Sequence, residues 1–347
     1  MKDLETLHRE ISEAVSKLDF AAIWPGFSPL PFALFDDEKC FCDGKYVEKS
    51  DAFCANTSIV YEGKQIATWK AAEALETPIF ASKLVHEMFH GFQHQQGWTC
   101  WPNEIEALFR YEYDAENLSC KLRENQLLLS LLDRFDADAF RELLSLRKLR
   151  RERFPYQFGY EAQTEEIEGS ANFVEWQVLR QLAPEKAEAL TAQMRGVMTA
   201  PERLFPIRIS CYYTGALMIH ALQSAEVYDF SPAQRPALLT VLQNVPPAAE
   251  GFPGQEALTE AAARAIAAFH GETETIIQTA LKRNEILLEG PAELGYVNVY
   301  NARCRNGFLT STFFLLYRTE AGETMLPGNF VIKMRDETTI ETVYRWE

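Results

Sequence analysis

The stretch LVHEMFHGFQHQQGW, Leu84 to Trp98, sets His86 and His90 four residues apart with Glu87 beside the first. On a helix, residues i and i+4 share one face, one turn above the other. Two imidazoles placed in this way can converge on one ion, and zinc accepts their nitrogens together with an oxygen ligand in tetrahedral geometry. Glu87 is directed beside such an ion rather than onto it, where its carboxylate could take a proton from water held there. This is the physical content of HExxH. The competing reading is a structural helix whose histidines merely flank an apolar stripe. His94 continues the same face, but about 6 Å of helix rise separates it from His90. It would struggle to share an ion with His86, so an outer or surface role is expected.

A catalytic zinc needs a third protein ligand and an open position. No third histidine has suitable spacing, so a carboxylate is expected. TEEIEGSANFVEW, Thr164 to Trp176, carries a core stripe of Ile167, Ala171 and Val174, continued by Leu179. Glu168, Asn172 and Glu175 form an adjacent row at i, i+4 and i+7. Glu168 is the candidate ligand, with Asn172 and Glu175 as outer groups able to orient it. Glu112 and Glu116, in RYEYDAENL, are rivals nearer in sequence; otherwise they form a solvated helix face.

Together HEMFH, EGSANFVE and ISCYYTGALMIHAL (Ile209 to Leu222) resemble the gluzincin pattern of aminopeptidase-N-type zinc metallopeptidases. That pattern is HExxH, then NEGxAxYxE, then Y-x-K-G-A. The FQ after HEMFH is similar to a bacterial branch of the clan. The three pieces stand in the family's order and span residues 57 to 224. The resemblance implies a zincin-like fold and a zinc ion on His86, His90 and Glu168. It implies Glu87 as general base and Tyr212, three residues before Gly215, as donor to an oxyanion, with Tyr213 as the fallback. Arg208, one turn before Tyr212, could hold a substrate carboxylate or simply pair with acidic side chains. The chain also departs from the family. His90 and Glu168 are much farther apart, and Thr214 stands at the lysine position. The G-x-M-E-N segment that binds a free amino group is absent, so specificity for N-termini does not carry over. The implied activity is zinc-dependent cleavage of peptide bonds. Hydrolysis of another amide or an ester, and a non-catalytic binding protein that keeps the fold, are the alternatives.

The elements that must position these residues are of two kinds. Residues 3–18 read as a surface helix. PFALFDD, KCFCDG and TSIVYEGKQIATWK then read as strands, the last as a hairpin around Glu62 and Gly63. Gly63 to Trp69 is the candidate edge for an extended substrate. From Thr77 to Asn284 the texture is helical. Thr77 is expected as N-cap with Pro78 at the first helical position, and Gly97 as the stop. One helix is expected from Pro102 to Leu132. Others fit Ala139 to Arg151, Glu161 to Leu182, Ile207 to Ser224, PALLTVLQNV, and EALTEAAARAIAAFHG ending at Gly271. After Asn284, LGYVNVYNA, GFLTSTFFLLYRT, NFVIKM and TIETVYRW read as antiparallel strands. The expected class is α+β, with a mainly helical core. Residues 1–76 hold a helix and sheet, 77–283 the catalytic helices, and 284–347 a small antiparallel β unit.

The 347 residues carry 50 acidic and 34 basic side chains, a formal net charge of -16. That argues against a nucleic-acid partner, which needs a basic face, and against anionic membrane. RKLRRERF, Arg147 to Phe154, is expected to be the solvated end of a helix. The first residues are amphipathic and acidic, without a secretory h-region, and no stretch is apolar enough to span a bilayer. The seven cysteines show no paired spacing and read as reduced thiols of a cytoplasmic protein. The expected partner is a peptide or small amide substrate.

Overall fold

The computed structural model describes residues 2–72, 74–226 and 251–346. The chain opens with α1 (Leu4–Val15) and the short α2 (Phe20–Ile23). Five strands follow: β1 (Phe32–Phe35), β2 (Cys40–Cys42), β3 (Lys45–Val47), β4 (Thr57–Tyr61) and β5 (Lys64–Lys70). They lie in the order β3-β2-β1-β5-β4. β4 and β5 form the expected hairpin, with Tyr61 opposite Lys64. Glu62 and Gly63 between them take positive φ, 48° and 76°, the conformation a two-residue turn needs to match strand twist. β5 is not an edge, however, because β1 pairs parallel along its other side. The expectation for Gly63 to Trp69 is therefore corrected: the free edge on this side is β4.

The helical region runs α3 (Thr77–Gln95), α4 (Glu104–Arg110), α5 (Ala115–Asp133), α6 (Ala137–Arg153), α7 (Pro155–Thr164), α8 (Ser170–Leu182), α9 (Pro184–Thr199), α10 (Ile207–Ser224) and α11 (Gln255–Arg283). Several boundaries differ from expectation, each for a local reason. Thr77 is the first helical residue rather than the cap; Glu76 precedes it, without a side-chain cap bond. The helix expected from Pro102 to Leu132 is two, because Tyr111 leaves the helix in extended conformation and Asp114 caps a new one by accepting the Asn117 N–H at 2.9 Å. Between α7 and α8 the chain keeps its helical course but widens into a π turn, Glu165–Gly169. α9 was not singled out in the sequence. α11 runs on through Gly271 to Arg283, and Asn284 ends it at φ 54°. PALLTVLQNV lies outside the described residues.

The chain closes with β6 (Ile286–Val297), β7 (Arg303–Arg305), β8 (Phe308–Ser311), β9 (Phe314–Thr319), β10 (Gly322–Pro327), β11 (Phe330–Met334) and β12 (Thr339–Arg345). They form one antiparallel sheet in the order β10-β9-β6-β12-β11-β8-β7. The architecture is α+β, with an N-terminal sheet and a C-terminal antiparallel sheet flanking the helices. The main core joins α1, the N-terminal sheet and α3 to α8 and α10, with Trp24, Phe27 and Phe89 in contact at its centre. The C-terminal sheet has its own core, onto which Ile105, Leu108 and Phe109 of α4 pack. The seven cysteines are all free thiols. No helix among the described residues is long and apolar enough to cross a membrane.

The basic run at the end of α6 is solvated only in part: Arg153 is exposed, but two of its arginines are not. Arg147 and Arg150 are 1% and 0% exposed, and this corrects the expectation for RKLRRERF. Arg147 binds Glu165 at 2.6 Å, and Arg150 binds Glu161 at 2.6 Å and Glu124 at 3.0 Å. Lys121 joins them, 2.8 Å from Glu165 and 3.0 Å from Glu161. Buried charges persist only when paired and hydrogen-bonded, and here α5, α6, α7 and the π turn supply each other's counter-charges.

Candidate metal centre

α3 is amphipathic in an unusual sense. Leu84, Val85, Met88, Phe89 and Phe92 bury one side, and His86, Glu87, His90 and His94 line a cleft of about 620 Å³ on the other. Gly91 lets this helix lie on the N-terminal sheet. A Cβ there would stand 2.4 Å from Leu30 Cδ1 and 2.7 Å from Ser58 Oγ. The π turn and α8 cross α10 at a pair of glycines. A Cβ on Gly169 would lie 2.5 Å from the Gly215 Cα, so the glycines of EGSA and TGA are required by backbone contact between the two helices. Asn172 reinforces the crossing, donating to the Tyr212 carbonyl at 3.2 Å.

This packing brings three donor atoms together. His86 Nε2 is 3.2 Å from His90 Nε2, and Glu168 Oε2 is 3.6 Å and 3.3 Å from them. Ligands held about 2.0–2.1 Å from a tetrahedral zinc stand about 3.3 Å apart, so the three atoms outline one face of such a shell. Glu112 and Glu116 do not approach it. Glu116 pairs with Arg153 at the surface, and Glu112 is exposed in the break before α5. Glu161, Glu165 and Cys211 form another close group of metal-ligating types, but the Lys121 ammonium already supplies its cation.

The hydrogen-bond network fixes the proton on His90. Gln93 donates its amide to the Ile167 carbonyl and to Ser170 Oγ, both at 2.9 Å. A carbonyl can only accept, so Gln93 Oε1 must be the atom facing His90 Nδ1 at 2.8 Å. Nδ1 therefore carries a hydrogen, which leaves Nε2 as the ring nitrogen able to offer a lone pair to an ion. His86 Nδ1 lies 3.4 Å from Glu175 Oε2, an ion-pair distance without an aligned hydrogen bond. Glu168 is divided in the same manner: Oε1 binds Arg208 at 2.8 Å while Oε2 faces the histidines. Arg208 continues to Glu104 at 2.9 Å, and Glu104 accepts the Tyr160 hydroxyl at 2.7 Å. Arg208 is thus committed to two carboxylates. Two imidazole lone pairs and a carboxylate pointing at one spot repel each other unless a cation or proton lies between them, so the donor set fits a divalent ion. In the metal-free protein a proton plays that part. Burial would lower the His86 pKa, but Glu168 and Glu175 outweigh it and hold it at about 10. Burial would raise the Glu168 carboxyl, but His90, His86 and Arg208 keep it far below its usual range.

Glu87 faces the same cleft. Burial raises its carboxyl pKa against the pull of His90 and His86. Tyr212 stacks 6.3 Å from His86 at 15° between ring planes, with the Arg208 guanidinium 5.3 Å from its ring centre. Burial and then the Glu168 charge push its phenol well up, so it stays protonated and able to donate. Tyr213 also lines the cleft, its hydroxyl accepting from Gln193 of α9 at 3.0 Å. His94 stacks on Trp101 at 4.3 Å, at the rim. A larger hollow of about 700 Å³ lies beyond Glu104 and Arg208, but it contains none of the histidine–carboxylate group. Sequence reasoning missed Gln93, although FQ was visible, because its partners Ile167 and Ser170 come from a distant segment. Gln93→Leu should lower metal affinity about 10- to 100-fold, as loss of an outer partner does; competition with a chelator would measure this. Compared with known protein families, curated proteins and solved structures, the chain matches none.

Proposed function

We propose that the protein is a zinc-dependent hydrolase of zincin-like, gluzincin type, cleaving peptide bonds. The observation that supports this most directly is the triangle of His86, His90 and Glu168 donor atoms with edges of 3.2, 3.3 and 3.6 Å. A zinc ion bound there would supply Lewis acidity, lowering the pKa of water and polarising a carbonyl. The chain's own residues do the rest. Glu87 accepts the proton of the attacking water and passes it to the leaving amine. Tyr212 donates its phenolic hydrogen to the oxyanion. Gln93 and Arg208 hold His90 and Glu168 in orientation, and Glu175 faces His86 at ion-pair distance. β4 offers its free edge where Thr57 and Ser58 line the cleft, so an extended substrate can add as a strand.

Protein purified without chelator should hold about one zinc per chain, read by elemental analysis. Metal-free protein that refuses zinc on titration would overturn the reading. Tyr212→Phe should keep zinc and lose about 10²- to 10³-fold in kcat, the range for one oxyanion donor. Unchanged kcat on a peptide substrate would remove Tyr212 from the chemistry.

A further inference from the structure

The C-terminal sheet, whose core is distinct from the main one, reaches into the cleft. Tyr296 on β6 and Tyr300 in the turn after it both line the cleft beside His86, Glu168 and Tyr212. They remain 41% and 46% exposed. The Tyr300 ring meets Tyr212 edge-on, 6.4 Å between centres. Their turn is built rather than loose. Asn298 Oδ1 accepts the Tyr300 N–H at 3.3 Å, and its amide donates to Thr312 at 3.1 Å. Trp69 and Trp101 also line the cleft.

The charges in the cleft are committed. Glu168 takes Arg208, Arg208 takes Glu104, and Glu175 lies 3.5 Å from Lys83. Besides Glu87, the charged-type side chains lining the cleft that are only loosely engaged are Lys83, 3.5 Å from Glu175, and His94, stacked on Trp101. Lys83 is partly exposed and His94 exposed, and neither is a buried counter-charge built to hold a substrate's terminal carboxylate. Burying such a terminus without a counter-charge is costly. A large apolar side chain would instead bury itself against aromatic faces.

We infer that Tyr296 and Tyr300 make the C-terminal sheet the specificity wall of the cleft. They select an internal peptide segment with a bulky apolar or aromatic residue next to the cleaved bond. This rests on the peptidase reading above and deepens it.

The test uses zinc-loaded full-length protein and a library of N-acetylated, C-amidated peptides that differ in one residue, Phe or Ala, beside a common bond. Wild type should cleave internally and prefer Phe. Tyr296→Ala/Tyr300→Ala should reduce that preference about tenfold or more, within the range for a hydrophobic pocket contact, with zinc content and circular dichroism unchanged. Tyr296→Phe/Tyr300→Phe should keep the preference. A double alanine variant with undiminished preference, or a wild type that trims only free termini, would overturn the inference. Anisotropy of the labelled Phe peptide on Glu87→Gln separates the two claims. Binding that needs Tyr296 and Tyr300, without any cleavage by wild type, supports the wall and sinks the peptidase reading. Neither binding nor cleavage sinks both.

Discussion

Glu87→Gln is expected to keep its zinc and its fold while hydrolysis falls at least about 10²- to 10⁴-fold, the usual contribution of a positioned base. Glu87 is one residue on from His86, about 100° around the helix, and faces the cleft without belonging to the ligand triangle. Among the described residues, no hydrogen bond or ion pair holds its carboxylate in place. Burial raises its pKa against the pull of His90 and His86, and a carboxylate beside the ligand triangle is placed to accept and return a proton. Glutamine has the same shape and cannot do either. The measurement is kcat on a blocked peptide beside zinc content on the same sample. Wild-type turnover in this variant would remove the base from the mechanism.

Glu168→Ala should strip the ion, while Glu112→Ala and Glu116→Ala leave it bound. Outer partners alone are worth about 10- to 100-fold in metal affinity, so loss of a direct ligand should exceed that. The variant also frees Arg208 from one of its two carboxylates, a buried imbalance that costs stability. Glu168→Gln also removes the charge but keeps the shape and a neutral acceptor for Arg208, and thermal unfolding of both variants without metal reads the stability cost apart from ligand loss. Chelator competition on all four variants decides the assignment. Zinc lost from Glu112→Ala but retained by Glu168→Ala would reverse it.

The parts of this arrangement that were readable from sequence are those set by local geometry. His86 and His90 share a face because four residues make about one turn, and the Glu62–Gly63 hairpin follows from what its turn requires. Glu168, Asn172 and Glu175 could be placed on one row for the same reason, although the π turn within that helix left no signal. What could not be read depends on distant partners. Arg147 and Arg150 look like a solvated run until Glu124, Glu161 and Glu165 arrive from other helices. Gln93 is an unremarkable polar residue until Ile167 and Ser170 fix its amide. Tyr296 and Tyr300 read as strand aromatics, and only the docking of the last sheet brings them to the cleft. The helix break at Tyr111 shows the same limit, since apolar spacing continues across it.

The buried charge cluster behind the π turn also sets an acid limit for the fold. Burial by itself would push the carboxyls of Glu161 and Glu165 up. Arg150 and Lys121 around Glu161, and Arg147 and Lys121 around Glu165, outweigh burial and hold both below the ordinary 4.5, Glu161 at about 2. A carboxyl depressed by folding adds stability that is complete above its unfolded pKa and disappears as pH falls through its folded one. The loss therefore begins below about pH 4.5 and grows toward pH 2. Once these two acids are protonated, Lys121, Arg147 and Arg150 share a single remaining buried carboxyl, Glu124, whose own pKa burial raises, and the segment they anchor is the one that carries Glu168. Acidification should end in cooperative unfolding of the helical region rather than a gradual softening of the surface.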